Sequence, residues 1–295
     1  MPADQPRNGA VSLGASRGPG QMAYLDFGDP ARAPDLVFLH GNGFNARTHR
    51  AALAPLADEF RMLAIDLRGH GATTLETVTG GRRDWRDLRD DVLAFLDVQQ
   101  LERVVLAGHS MGGCTSLMAA GVAPGRVRAL ALFDPVIMPP EVLAARESAD
   151  APASPLARSA SLRRRVFASR DAAFDSYKGR GAFRTWPDEA LRDFVREGFR
   201  DLPDGAVTLA CAPEWELSNY ANLSLDGWNA FHTSRCPIHI LRAEGDSPCR
   251  IDGHLPELTA SGRIRVETIP DTTHFLPVER PDLVRAAIRE AVAAP

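Results

Sequence analysis

The stretch VVLAGHSMGGC at 104–114 carries an apolar run into a serine held between Gly108 and Gly112. G-x-S-x-G alone is a weak signal, since ordinary Gly and Ser frequencies produce roughly 0.1 chance occurrences in a chain of this length. The chemistry it could do is nucleophilic attack. A serine hydroxyl is a poor nucleophile at neutral pH, so it needs a base within hydrogen-bond reach and an acid to orient that base. Of the 8 histidines, His274 in DTTHFLP lies between the last strand-like run and the last helix-like run, where a loop could bring it to Ser110. His239 alternates with Ile238 and Ile240 and reads as a structural histidine inside a strand. His49, His232 and His254 sit in no pattern and read as surface residues.

A strand ending at Gly108, a sharp turn at Ser110 and a helix from Met111 would form a nucleophile elbow, in which side chains at Gly108 and Gly112 would clash. Two acids follow directly on strand-like runs, Asp246 in RAEGDSPC and Asp134 in LFDPV. Asp246 is the expected partner of His274, because it gives the chain order Ser110, Asp246, His274. Asp134, before a proline, reads as a turn-former, and Glu244 as a weaker, solvated third option. HGNGF at 40–44 follows a buried strand, and the backbone N–H groups of Asn42 and Met111 are assigned to an oxyanion hole. The same loop lacks the lysine and spacing of a phosphate cradle.

These side chains need a scaffold. LVFLH (36–40), RMLAID (61–66), RVVLAG (103–108), RALALFD (128–134), PIHILRAEG (237–245) and RIRVETIP (263–270) read as buried strands. WRDLRDDVLAFLDVQQL repeats Leu88, Val92, Phe95 and Leu96 at helical spacing, and PDLVRAAIREAVAA reads as a closing helix. Residues 1–20 are expected to be a flexible tail. Residues 21–138 and 236–295 then form one α/β core, with 139–235 an inserted helical cap whose clearest segments are Arg163–Arg165, Ala172–Tyr177 and Glu189–Phe199. The Ala/Pro/Ser-rich stretch at 149–161 reads as a loop. Phe44, His109, Trp186 and Trp215 are assigned to the substrate pocket, although His109 should point away from the nucleophile. Tyr177, Phe183, Trp228 and Phe231 are alternatives, and for any one of these aromatics a place in the cap's own core competes with a place in the pocket.

Hydrophobic residues make up 44% of the chain and charged residues 24%, with a net charge of -4. That balance disfavours a nucleic-acid or membrane partner. No apolar run approaches the roughly 18 residues of a membrane-spanning helix, and no secretory leader is evident, so a cytoplasmic location is expected. The four cysteines form no C-x-x-C pair, so no metal site and no disulfide framework is expected. Oligomeric state is left open.

HGNGF, DLRGHG (66–71), GHSMGG (108–113), EGD (244–246) and TTHF (272–275) together resemble the successive landmarks of the α/β-hydrolase superfamily, from about residue 22 to the end. The resemblance implies a mostly parallel eight-stranded sheet flanked by helices, with a helical cap inserted after the sixth strand. Serine at position 110, where haloalkane dehalogenases and epoxide hydrolases carry aspartate, leaves esterases, lactonases, thioesterases, carbon-carbon bond hydrolases and cofactor-free peroxidase-like esterases. The expected activity is that of a cofactor-free serine hydrolase acting on a small-molecule ester or related acyl substrate. The alternatives are carbon-carbon bond hydrolysis by the same triad and a slow-turnover ligand receptor.

Overall fold

The computed structural model describes residues 5–147, 158, 160–223 and 225–294. In chain order the strands are β1 (Arg7–Val11), β2 (Met22–Phe27), β3 (Leu36–Leu39), β4 (Met62–Ile65), β5 (Val104–His109) and β6 (Val127–Phe133). The inserted segment carries β7 (Val166–Phe167), β8 (Phe199–Asp201) and β9 (Val207–Leu209), and β10 (Ile238–Ala243) and β11 (Ile264–Ile269) follow it. The main sheet has eight strands in the order β1-β2-β4-β3-β5-β6-β10-β11. Neighbours from β4 to β11 pair in parallel, and β2 is antiparallel to both β1 and β4.

Strands buried on both faces read as continuous apolar runs, and here they alternate between two cores. Val37, Leu39, Leu63, Ile65, Val104 and Leu106 face the helices Arg86–Val98 and Met111–Val122. Leu36, Phe38, Met62, Ala64, Val105 and Ala107 face the closing helix Pro281–Ala293. Strand order reverses direction at β3, whose neighbours are β4 and β5. In an open α/β sheet that switch opens a crevice at the carboxyl ends of the strands, and both the loop after β3 and Ser110 lie there.

Three expectations change. Residues 7–11 are not part of a tail: β1 pairs with β2 from Arg7↔Asp26 to Val11↔Met22, and Arg17 Nε donates to buried Asp91 at 2.7 Å. An edge strand alternating half-buried and exposed residues, as RNGAV does, has too few apolar side chains to announce itself. The insertion also contains a three-stranded antiparallel sheet, β7-β9-β8, whose strands of two or three residues are too short to show a period. Arg163–Arg165 are not helical and lead into β7, whereas Ala172–Tyr177 and Glu189–Glu197 are helical within Arg170–Tyr177 and Asp188–Glu197. Finally, the helix Asp226–Thr233 packs on Met111–Val122, with Gly121 against Ala230, so it belongs to the layer of the main sheet. Of the stretch 149–161, only residues 158, 160 and 161 are among those described.

Candidate active site

β5 ends at His109, and the chain turns through Ser110 with φ 56 and ψ -119 before the helix Met111–Val122 begins. A non-glycine residue in that conformation is strained, and the surrounding packing must hold it. The glycines on either side allow the turn. A Cβ on Gly108 would lie 2.6 Å from the carbonyl carbon of Gly112, and one on Gly112 would lie 2.4 Å from the Leu39 carbonyl oxygen. The turn is therefore pressed both on itself and on the end of β3.

His274 lies on the turn between β11 and the short helix Leu276–Glu279. Its Nε2 is 2.9 Å from Ser110 Oγ and its Nδ1 is 2.6 Å from Asp134 Oδ2. An ionised carboxylate only accepts, so Nδ1 carries the proton and Nε2 of the neutral ring is left to accept from the serine hydroxyl. The His274 carbonyl accepts from His109 Nε2 at 2.8 Å, which fixes the backbone bearing the imidazole. Asp134 is fully buried at the end of β6. Its Oδ1 accepts from the Ala243 N–H at 3.0 Å and from the Ser247 hydroxyl at 2.5 Å.

Asp134, not Asp246, is therefore the acid brought to His274. β6 lies directly beside β5, so the residue following β6 emerges one strand away from Ser110. Asp246, one strand further out after β10, is exposed with φ 52, and the His274 Nδ1 is taken by Asp134. The turn expected at Asp134 is present as well, with φ 44; one side chain serves the backbone through Oδ1 and the imidazole through Oδ2.

The loop after β3 is clamped from several sides. Gly41 is tightly enclosed, since a Cβ would lie 3.1 Å from His109 Nδ1 and Ser110 Cβ and both would have to give by a few tenths of an ångström. Asn42 donates through Nδ2 to the Glu216 carbonyl at 3.0 Å and accepts through Oδ1 from Asn219 Nδ2 at 2.7 Å. The Gly43 N–H donates to His70 Nε2 at 3.0 Å. Both Asn42 contacts come from the helix Pro213–Ala221 of the insertion; a pair of asparagines 177 residues apart offers no sequence signal. The side chain of Asn42 is thus occupied, and Met111, as the first residue of its helix, has no helical carbonyl for its N–H.

The residues expected to line a pocket divide. Phe44 is half-buried, stacks on His109 at 5.7 Å between ring centroids and meets Trp186 at 5.2 Å and Phe275 at 6.0 Å. Trp186 joins Tyr177, Phe183 and Phe194 in the insertion's own aromatic core, which also touches Val278 beside the His274 turn. His109 is fully buried and Trp215 nearly so. Trp215 is a core residue and not a pocket wall, because Gly69 lies against its ring, its Nε1 donates to the Arg68 carbonyl at 2.8 Å and the Arg82 guanidinium covers it at 4.3 Å. Trp228 and Phe231 belong to the main core.

Burial governs the electrostatics. It holds His40 and His109 well below the usual imidazole range, and pulls His49 down to about 3 and His70 to about 4. The four cysteines are free and buried, and burial pushes the Cys114 thiol up to about 12. Among the described residues no cluster of three His, Cys, Asp or Glu could hold a metal ion, and no helix is long and apolar enough to cross a membrane. A groove of about 520 Å³ opens elsewhere, along Arg17, Arg68 and Arg82, whose guanidinium groups are already paired with Asp91 and Asp87. The Ser110, His274 and Asp134 side chains, which lie within hydrogen-bond distance of one another and do not line that groove, form the candidate site.

A model of the alpha/beta hydrolase family matches residues 36–287. Over 276 residues, 92% of each chain, the sequence is 24% identical to 2-(acetamidomethylene)succinate hydrolase of Mesorhizobium japonicum. A shorter match, 38% identical over 112 residues, is to the dihydrolipoyllysine-residue acetyltransferase component of the acetoin cleaving system of Pseudomonas putida, and it spans 29% of that protein's length. Among solved structures, E-2-(acetamidomethylene)succinate hydrolase superposes with a TM-score of 0.80 at 21% identity, covering 98% of this chain and 100% of the other. The thioesterase domain from the curacin biosynthetic pathway superposes with a TM-score of 0.75 at 15% identity, covering 96% and 99%.

Proposed function

This chain belongs to the alpha/beta hydrolase family, and we propose that it cleaves an ester or related acyl substrate through a covalent acyl-enzyme on Ser110. The observation that carries the reading is the continuous line from Ser110 Oγ through the His274 imidazole to Asp134, with contacts of 2.9 and 2.6 Å. In this mechanism His274 Nε2 takes the hydroxyl proton as Oγ attacks the carbonyl, and Asp134 stabilises the imidazolium that forms. The backbone N–H groups of Asn42 and Met111 receive the oxyanion. The imidazolium returns its proton to the leaving group, and water activated by the same nitrogen releases the acid.

The aromatic flank made by Phe44, Phe275 and Trp186 favours an apolar acyl group. The substituted succinate named for the relative is not carried over. The Arg163 guanidinium beside the loop after β3, 3.2 Å from the Cβ position of Gly43, is paired with Glu216 at 2.6 Å.

The test uses a fluorophosphonate probe and p-nitrophenyl esters of increasing chain length. The parent protein should be labelled on Ser110 and turn over at least one ester, while Ser110→Ala should lose the label and about 10⁴-fold or more of the activity with its Tm retained. Labelling that persists in a folded Ser110→Ala protein would overturn the assignment.

A further inference from the structure

The segment EGDSPC, expected to provide the acid, meets Asp134 through a different residue. Ser247 Oγ lies 2.5 Å from Asp134 Oδ1. The same oxygen accepts the Cys249 N–H at 3.1 Å, which occupies its lone-pair side and directs the hydroxyl proton outward. A carboxylate oxygen accepts, and here the Ser247 hydroxyl donates to Oδ1. With the Ala243 N–H also on Oδ1 at 3.0 Å, that oxygen is saturated and Oδ2 is the one left for His274.

We propose that Ser247 is a positioning residue for the reaction, its hydroxyl locking the Asp134 carboxylate so that Oδ2 alone faces His274 Nδ1. The inference rests on the triad reading above. A carboxylate on a short side chain turns about one terminal torsion, which is broad and offers little resistance of its own; two donors on one oxygen supply that resistance. The hydroxyl also withdraws negative charge from the carboxylate and so moderates its pull on the imidazole proton. The other groups facing the His274 ring are Ser110 and the His109 ring, 5.0 Å away between centroids, and burial keeps His109 neutral. Phe275 closes a further side at 5.8 Å.

A purely structural role would be different. The strands' following loops are stitched together independently of the hydroxyl, since the Ile137 N–H donates to the Pro248 carbonyl at 3.2 Å and the Arg250 N–H to the Ile137 carbonyl at 3.0 Å. Removing the hydroxyl should therefore leave the loops joined and alter the carboxylate.

The experiment compares Ser247→Ala and Ser247→Thr with the parent protein by Tm, by kcat and KM on one ester across pH, and by NMR titration of the His274 ring. Ser247→Ala should lower kcat about tenfold, the scale of one hydrogen bond to a charged group, with KM within twofold. The acid limb of kcat/KM and the NMR titration should both move to higher pH, and Ser247→Thr should restore them. A folded Ser247→Ala protein whose Tm falls while the acid limb and the ring titration stay unmoved would overturn the proposal, leaving Ser247 a loop staple. So would a shift that the threonine hydroxyl fails to reverse. The NMR titration reads the Asp134–His274 pair without turnover, so it still decides the role of Ser247 if no ester is cleaved and the triad reading itself fails.

Discussion

Two aspartates in nearly equivalent local contexts, each at positive φ after a strand, separate completely once their surroundings are compared. Asp134 is buried with all its acceptor capacity directed, whereas Asp246 is exposed to solvent. In the proposed mechanism, replacing Asp134 by Asn removes the charge that would stabilise the imidazolium and puts an amide donor in competition for the wrong ring tautomer. Asp134→Asn should therefore lower kcat by about 10⁴. Asp246→Asn should stay within about twofold of the parent, because Asn tolerates the left-handed conformation and the lost charge is screened by water. Ester turnover measured alongside Tm distinguishes the two, and a well-folded Asp134→Asn protein of normal activity would sink the assignment. Both acids were visible in the sequence as residues closing a strand. What was not visible is that β6, and not β10, lies beside the strand that carries Ser110.

The site is made where elements close on one another. β5 and the helix Met111–Val122 meet at Ser110, the end of β3 presses on Gly112, and the inserted helix Pro213–Ala221 grips Asn42. Of the two glycines flanking Ser110, Gly112 is the more tightly enclosed. A methyl group there would lie 2.4 Å from the Leu39 oxygen and 2.5 Å from the His40 oxygen, and backbone cannot swing aside as a flexible side chain can. Gly112→Ala should reduce stability by about 1–3 kcal/mol and activity by about 10² or more, since it displaces the serine and the loop after β3 together. Gly253→Ala, with no atom within 4 Å of its Cβ position, is the control and should resemble the parent. Equal Tm and turnover for the two variants would show that the elbow tolerates a side chain and that its glycines have another cause.

At the scale of the molecule, buried histidines tie stability to pH. Burial depresses His40, His49, His70 and His109, so each remains neutral in the fold at pH values where the unfolded chain takes up a proton. A depressed imidazole contributes stability that is fully present above its unfolded value near 6.5 and is lost as pH falls below it. Unfolding should bind up to four extra protons below pH 6.5, each changing stability by about 1.4 kcal/mol per pH unit. Asp66 acts in the opposite sense. Burial raises its carboxyl to about 6, so between about pH 6 and 4 the fold retains a proton that the unfolded chain has released; burial raises Asp193 in the same sense, and both make the acid-side fall shallower than the histidines alone would. Tm should be level between about pH 7 and 8 and fall steeply from 6.5 downward. His49→Phe should shallow that fall by one proton, since neither His49 nitrogen has a hydrogen-bond partner among the described residues and its ring already packs on Phe38 at 4.7 Å. A Tm independent of pH between 7 and 5.5 would contradict this account.

Sequence alone determined what depends on local pattern. The strands from β3 to β6 and β10 to β11, the helices Arg86–Val98 and Pro281–Ala293, and the glycine-flanked turn at Ser110 all follow from periodicity and steric need within a few residues. His274 was legible too, because a loop after the last strand has one sheet edge to return to. Tertiary structure decided whatever depends on lateral neighbours. It placed RNGAV on the edge of the sheet, where half its side chains meet solvent and leave no apolar signature. It buried Trp215 beneath Arg82 and turned His109 to hold the His274 carbonyl, although each aromatic in isolation suits a pocket equally well. It also set β6 between β5 and β10, so that Asp134 supplies the carboxylate and Ser247 its hydrogen bond. Strand order is fixed by which apolar faces and backbone edges fit best among distant segments, a comparison of alternatives that no single stretch of residues contains.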